Sequence, residues 1–253
     1  IKNNNKNIIN DLNIIINKND YINEIFKYSI DKYYNENGDK YIGDIKFGLK
    51  DNKGELYFNK DDDKKRKKYE GDFKNDVIEE KGIIYYNNDD KSEGDFKNDK
   101  ENGKRILYYN NGEKYEGYFK NDKKNGKGKY YYKNGDIYEG YYKKDKREGR
   151  GAILYDNGDK YEGHFKNDII EGKGIYYYKN GDKYEGDFKN NKREGNGIFY
   201  YRNNDKYLGD FKNEKREGKG ILYYNNGDRY EGDYKNDIRE GKGKLYYKNG
   251  ERY

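Results

Sequence analysis

The pentapeptide Tyr230-Glu231-Gly232-Asp233-Tyr234, with Gly241-Lys242-Gly243 a short way downstream, is the last of a series. Its leading residue recurs at Tyr207, Tyr184, Tyr161, Tyr138, Tyr115, Ser92 and Tyr69, always at a spacing of 23 residues. A copy at Tyr41 stands 28 residues before Tyr69, and a further copy begins at Tyr253. A fixed period held over this many copies marks a stacked-repeat architecture, in which each repeat contacts chiefly its neighbours.

Composition bears on what such a stack can bury. Leu, Ile, Val and Phe make up about 17% of the chain, a level that on its own points towards disorder. Against that stand 35 Tyr and a net charge of only +6 with 41% charged residues. Tyr buries a large ring while its hydroxyl stays in water, so the predicted core is aromatic, thin and half wet. There is no Cys, hence no disulfide, thiolate chemistry or Cys-based zinc site. No apolar run approaches the ~20 residues of a membrane-spanning helix. The chain begins at Ile1 and contains no Met, which reads as a trimmed fragment. Heavy use of Lys, Asn, Ile and Tyr fits an A/T-rich genome, and on that view the Asn-rich stretches carry little functional weight.

Residues 1–34 read differently from the rest. Ile8, Leu12, Ile15, Ile22, Phe26, Ile30 and Tyr33 fall at helical intervals, and Asp20 is placed to cap a second short helix. A helical cap or linker over 1–34 is therefore expected, followed by the repeat array over 35–253. Within the array each repeat reads as two strands. Tyr184 to Phe188 forms the first, Gly195 to Tyr201 the second, and a polar loop, Lys189 to Glu194, joins them. Asn-Gly pairs such as Asn180-Gly181 predict tight type I′ turns between repeats, since both residues tolerate positive φ. Asn88-Asp89 and Asn204-Asp205 lack the Gly and predict looser turns. A two-residue turn at Asn180-Gly181 would pair Tyr177 with Tyr184 and Ile175 with Gly186; a one-residue slip would exchange the faces. The fold class is all-β, a single-layer antiparallel meander of stacked hairpins. Nine complete repeats predict about eighteen strands and a twisted ribbon roughly 85 Å long.

Within the first strand Tyr184, Gly186 and Phe188 share a face, and the Gly leaves room for a ring from the adjoining strand. The aromatics at these positions are the candidate lining of a partner groove: Tyr115, Phe119, Tyr138, Tyr142, Tyr161, Phe165, Tyr184, Phe188, Tyr207, Phe211, Tyr230 and Tyr234. The glycines that would shape it are Gly117, Gly140, Gly163, Gly186, Gly209 and Gly232 in first strands. In second strands they are Gly126, Gly128, Gly149, Gly151, Gly172, Gly174, Gly195, Gly197, Gly218, Gly220, Gly241 and Gly243. Departures cluster early: Ser92 replaces a Tyr, Glu80 and Arg105 replace glycines, and five extra residues lie between Asn59 and Lys68.

Catalytic chemistry finds little support. His164 is the only His and reads as an exposed strand residue. Ser92 is three repeats away from it, some 29 Å at the sheet spacing, which excludes a Ser-His-acid triad within the array. The carboxylates recur in every repeat beside Lys or Arg, the pattern of a solvated face. Asp61-Asp62-Asp63 is followed by five basic residues that compete with a cation, so no metal site is assigned. Gly-Lys-Gly lacks the spacing of a phosphate-binding loop. Catalytic residues, metal and cofactor are accordingly set at none, and nucleic acid is not expected as a partner. Basic loops such as Lys144, Lys146 and Arg147, or Lys215 and Arg216, suit an anionic lipid or another polyanion.

Tyr161-Glu162-Gly163-His164-Phe165 with Gly172-Lys173-Gly174, and its equivalents from Tyr115 onward, closely resembles the membrane occupation and recognition nexus (MORN) repeat. The resemblance covers residues from about 34 to 253. It implies rows of β-hairpins in an elongated, grooved sheet that scaffolds protein partners in the cytoplasm, at membranes or the cytoskeleton, at times as a homodimer. It also implies two alternatives: recruitment to anionic phospholipid, or the regulatory part of a larger enzyme such as a phosphatidylinositol phosphate kinase. Ser92, Glu80, Arg105 and the long first repeat depart from the pattern, so no groove contact is expected there.

Overall fold

The computed structural model describes residues 29–34, as backbone, and residues 36–253. It contains nineteen strands and, among the described residues, no helix. The strands fall into two compact units, Ile1–Asn110 with Phe119–Asp122, and Asn111–Tyr118 with Lys123–Tyr253. The first holds β1 (Ser29–Tyr34), β2 (Lys40–Lys46), β3 (Leu49–Tyr57), β4 (Arg66–Lys74), β5 (Val77–Tyr86), β6 (Lys91–Lys97) and β7 (Lys100–Tyr108). Strand β8 (Lys114–Lys120) gives residues to both units. The second holds β9 (Lys123–Tyr131), β10 (Ile137–Lys143), β11 (Lys146–Leu154), β12 (Lys160–Lys166), β13 (Ile169–Tyr177) and β14 (Lys183–Lys189). It continues through β15 (Lys192–Tyr200), β16 (Lys206–Lys212), β17 (Lys215–Tyr223), β18 (Arg229–Lys235) and β19 (Ile238–Tyr246). Within each unit every strand pairs antiparallel with the next in sequence.

Two expectations about the N-terminal segment part company here. Ile30 and Tyr33, read at helical spacing, lie in β1 and pair with Asp44 and Tyr41 of β2. The backbone partners offered by the free side of β2 settle what a three-residue spacing left ambiguous. The helical reading of residues 1–28 lies outside the described residues.

The turns are the reverse of those read from the sequence. At Asn180-Gly181 only Gly181 has positive φ (95°). Gly181 N–H donates to the Tyr178 carbonyl (3.0 Å) and Tyr178 N–H to the Asp182 carbonyl (3.0 Å). This is a three-residue loop with a glycine bulge, which moves the register by one. Tyr176, not Tyr177, therefore faces Tyr184, and Gly174 faces Gly186. The two-residue turns lie at the other end, within what reads as the longer loop. Asn190 (φ 50°) and Asn191 (φ 64°) both have positive φ, flanked by the Lys189–Lys192 pair. Nor are the Gly-less turns looser. Asn204 (φ 69°) and Asp89 (φ 64°) take the glycine's conformation and keep the same pair of hydrogen bonds, since short polar residues tolerate that region.

The one-residue shift puts the glycines opposite each other. In the second unit Gly128, Gly140, Gly151, Gly163, Gly174, Gly186, Gly197, Gly209, Gly220, Gly232 and Gly243 form one row across the strands. Over each hairpin's two glycines lies a Tyr ring from the same hairpin. A Cβ on Gly186 or Gly197 would strike the Tyr184 ring. The ring thus comes from two residues earlier on the same strand, not from the adjoining one as the pattern suggested. Its hydroxyl donates to the Asp187 carbonyl at 3.0 Å, so a fully buried ring has its polar end satisfied. The repeat that opens at Tyr41 is built alike: its ring covers Gly43 and Gly54 and its hydroxyl donates to the Asp44 carbonyl.

The Tyr rings interlock edge-to-face with the aromatic four residues on. In the second unit the chain of contacts runs Tyr138–Phe165–Tyr161–Phe188–Tyr184–Phe211–Tyr207–Tyr234, at 4.9–5.4 Å between centroids. Such pairs contribute beyond their buried area, ~0.5–1.5 kcal/mol each, which offsets the scarcity of aliphatic residues. Tyr142 and Tyr234 stand where Phe165, Phe188 and Phe211 stand in other repeats, and their buried hydroxyls have no hydrogen-bond partner. Tyr142→Phe is therefore expected to raise stability by about 1 kcal/mol, measured as a higher urea midpoint.

Asn and Asp at the turns join each repeat to the next. Asp168 N–H donates to the Arg147 carbonyl (3.1 Å), and Arg147 N–H donates back to Asp168 Oδ1 (2.8 Å). The same hook joins Ile170 to Asn191, Arg193 to Glu214 and Arg216 to Asp237. At the opposite ends of the strands Asp159, Asp182 and Asp205 accept the N–H of Lys179, Arg202 and Asn225. The turn Asn residues orient those carboxylates, as Asn180 does for Asp182 (2.8 Å). Asn at these positions thus has a structural part in the turns.

Candidate functional site

The sheet's two faces differ in what they leave open. The first face carries the Tyr and Phe core. Of the twelve aromatics expected to line a groove, Tyr115, Phe119, Tyr138, Tyr142, Tyr161, Phe165, Tyr184, Phe188, Tyr207, Phe211 and Tyr234 are at most 5% exposed, and Tyr230 is half-buried. Buried to this degree, the eleven cannot form an open lining. The error traces to the turn: with Asn-Gly closing a three-residue loop, the rings that share a face pack into a continuous layer.

A second set of side chains covers that layer. Arg147 lies over Tyr138 and Phe165 (5.4 and 5.3 Å), Arg193 over Tyr184 and Phe211 (5.6 and 5.5 Å), and Arg216 over Tyr207 and Tyr234 (5.5 and 5.1 Å). Each guanidinium is also fixed to the carboxylate of its hook, Asp168, Glu214 or Asp237. Arg147 and Arg216 therefore turn back over the core, while Lys146 and Lys215, grouped with them in the sequence, stay exposed. Where the cation is missing, at Ile170, the hook residue is the neutral Asn191. There a 560 Å³ cavity opens between Arg147 and Arg193, walled by Tyr155, Tyr176 and Tyr178.

The opposite face holds the larger concavity, about 1090 Å³. Its floor is a row running across the strands through Ala152, Glu162, Ile175, Glu185, Ile198 and Leu208, and Ile221 continues the row beyond it. Glu and aliphatic residues alternate until Leu208 takes a Glu position. Leu208 faces Ile198 on one side and Ile221 on the other, giving three adjoining aliphatic side chains with Leu208 41% exposed. On the same face runs a ladder of Lys over Tyr: Lys183 on Tyr200 (4.1 Å) and Lys206 on Tyr223 (4.8 Å). Lys160 and Lys183 pair in turn with Glu162 and Glu185, which neutralises the carboxylates beside the floor. One bank includes the Lys173–Asp187 pair (2.8 Å) and His164, whose Nδ1 lies 3.2 Å from the Lys173 carbonyl oxygen. Leu208 was legible as the one non-acidic residue among Glu139, Glu162, Glu185 and Glu231.

The early departures form one cluster in the first unit. Arg105 stands in the glycine row opposite Gly94 and is 1% exposed. It fills the space that a Tyr at position 92 would occupy. Its guanidinium donates to Ser92 Oγ (3.1 and 3.0 Å) and to the Asp95 carbonyl (2.7 Å), the acceptor equivalent to that of a repeat Tyr hydroxyl. It also lies over Phe96 (4.0 Å) and pairs with Glu101 (3.1 Å). Glu101 takes the place of the hook cation, and Lys64 from the long first repeat reaches the hook carboxylate Asp122 instead (2.8 Å). Glu80, in a glycine position, keeps the glycine's positive φ (57°). Among the described residues no group of three or more His, Asp or Glu side chains is placed to hold a metal ion. None of the described residues forms a helix long and apolar enough to cross a membrane.

These features define a single-layer, antiparallel hairpin-repeat sheet with an aromatic core. The MORN repeat model matches eight consecutive stretches, 69–91, 93–114, 115–137, 138–160, 161–183, 184–206, 207–229 and 230–252. The chain belongs to the MORN repeat family. No curated protein matches it. Among solved structures it is similar to the TCP10 domain of Danio rerio CPAP, with 10% identity over 88% of this chain and 97% of that one, TM-score 0.47. It is also similar to the TCP domain of Drosophila melanogaster SAS-4, solved with a proline-rich motif of Ana2. There the identity is 19% over 60% of this chain and 82% of that one, TM-score 0.40.

Proposed function

We propose that the chain is a non-catalytic protein-binding scaffold whose second compact unit docks a partner segment on the face opposite the aromatic core. The observation that carries this is the Ile198–Leu208 pair lining the 1090 Å³ trough, with Ile221 adjoining Leu208 beyond it. Adjoining aliphatic side chains exposed on a rigid sheet gain most from being covered by a partner. The Lys–Glu pairs beside the floor are already matched, so they exclude wrongly charged segments more than they attract right ones.

Leu208→Glu tests it. The change installs the residue that other repeats carry at this position, so the sheet tolerates it. Once a partner segment has been mapped by cross-linking to the purified chain, its affinity is measured by calorimetry. The variant should bind at least about tenfold more weakly with an unchanged unfolding midpoint. Full affinity in Leu208→Glu would rule this face out, and the opposite face, at the Ile170 cavity, would become the surface to examine.

A further inference from the structure

A different surface carries its own signal, the strand ends at the two-residue turns of the second compact unit. Each first strand from β10 on ends in Lys: Lys143, Lys166, Lys189, Lys212 and Lys235, all exposed. The first residue of the following strand is Lys146, Lys192 or Lys215, also exposed, with Ile169 after Lys166 and Ile238 after Lys235. These are direct cross-strand neighbours: Lys143 with Lys146, Lys189 with Lys192, Lys212 with Lys215. Like charges in that relation destabilise a hairpin. Repetition of an unfavourable pair is not explained by the fold.

The carboxylates nearby are otherwise engaged. Asp168, Glu214 and Asp237 hold arginines, while Glu171, Glu194 and Glu217 accept the N–H groups of Asn190, Asn213 and Asn236. Lys235 lies 3.6 Å from Glu240; none of the other seven lysines has a carboxylate within 4.0 Å among the described residues. The rim is thus a line of lysines without ion-pair partners, two wide at Lys143/Lys146, Lys189/Lys192 and Lys212/Lys215 and one wide where Ile169 faces Lys166, with a rung every two strands, or roughly 9.6 Å.

We propose that this rim binds an acidic polypeptide tract lying along it. A narrow line of charge matches a linear polyanion better than the plane of a bilayer. An extended chain in the polyproline II conformation returns a side chain to the same side every three residues, ~9.3 Å, close to the rung spacing. Charged tracts stay extended by self-repulsion, which suits them to such a track. Single-stranded nucleic acid would need rings for its bases to stack on. At these turns the rim offers only aliphatic side chains between lysines, Ile169 and Ile238.

The test uses the full chain and a labelled Glu-rich peptide, with binding read by fluorescence anisotropy at two salt concentrations. Binding should weaken as salt rises. Lys189→Glu with Lys192→Glu should weaken it at least about tenfold and flatten the salt dependence, whereas Lys189→Arg with Lys192→Arg should retain it. Circular dichroism checks that both variants keep the sheet. The proposal is overturned if charge reversal leaves the affinity unchanged. It is overturned equally if oligothymidylate, or phosphatidylserine-containing vesicles, bind the rim more tightly than the peptide.

Discussion

Gly186→Ala will cost the second compact unit more than about 3 kcal/mol, while Gly149→Ala will cost about 1 kcal/mol. The two glycines are constrained for different reasons. A Cβ on Gly186 meets the Tyr184 ring, the Asn196 carbonyl oxygen at 2.7 Å and the Gly197 Cα at 2.7 Å. Two of those three contacts are backbone, so no rotamer change relieves them, and the ring that must shift is itself interlocked with Phe188 and Phe211. At Gly149 nothing lies within 4 Å of the added carbon, and only the positive φ (73°) is disfavoured. Urea unfolding followed by tyrosine fluorescence separates the two. Equal losses would mean that the glycine row is needed for backbone freedom, not for closeness of ring to strand.

The second large effect concerns the buried exception. Arg105→Gly should cost 3–5 kcal/mol, because it leaves Glu101 without its partner and a ring-sized void beside Ser92. Ser92→Tyr alone should be as damaging, since the incoming ring and the Arg105 side chain need one space. Combined with Glu101→Arg, the two changes rebuild the arrangement of Tyr184, Arg193 and Gly197, and most of the loss should be recovered. The measurement is a cycle of the single, double and triple variants. Losses that simply add would show that these positions do not act as one exchange. The pH dependence follows the same pair. Burial lowers the pKa of the Arg105 guanidinium and Glu101 opposes that shift, so the folded state holds this proton less firmly than the unfolded chain; stability is flat near neutral pH on this account and rises as pH climbs through the strongly alkaline range.

The period, the all-β class, the antiparallel order and the place of the irregular repeats were legible, because each depends on residue types recurring at a fixed interval. Register was not. Asn180-Gly181 has the composition of a two-residue turn, yet the Tyr178 carbonyl accepts from Gly181, and that one hydrogen bond decides which residues share a face. With the register open, the aromatics read as a groove when they are a core, and the trough around Leu208 went unread. The pairing of Arg147 with Asp168 and of Ile170 with Asn191 was also within reach, as matched charge or matched neutrality 21 residues apart. Finding it required looking between repeats instead of within them. Ser92 and Arg105 show the same limit: each reads as a lapse alone, and only contact reveals them as a trade.

The hooks also govern how such a gene can lose or gain a copy. Excising residues 169–191 removes Ile170 together with Asn191 and joins Asp168 directly to Lys192, so Arg147 keeps its carboxylate and Arg193 keeps Glu214. Excising the same length two residues earlier, 167–189, deletes Asp168 and sets Arg147 against Asn191, stranding a cation over the rings. Both cuts preserve the period, but only the first leaves every join chemically matched, which makes the stretch from one tight turn to the next the inheritable module of this chain.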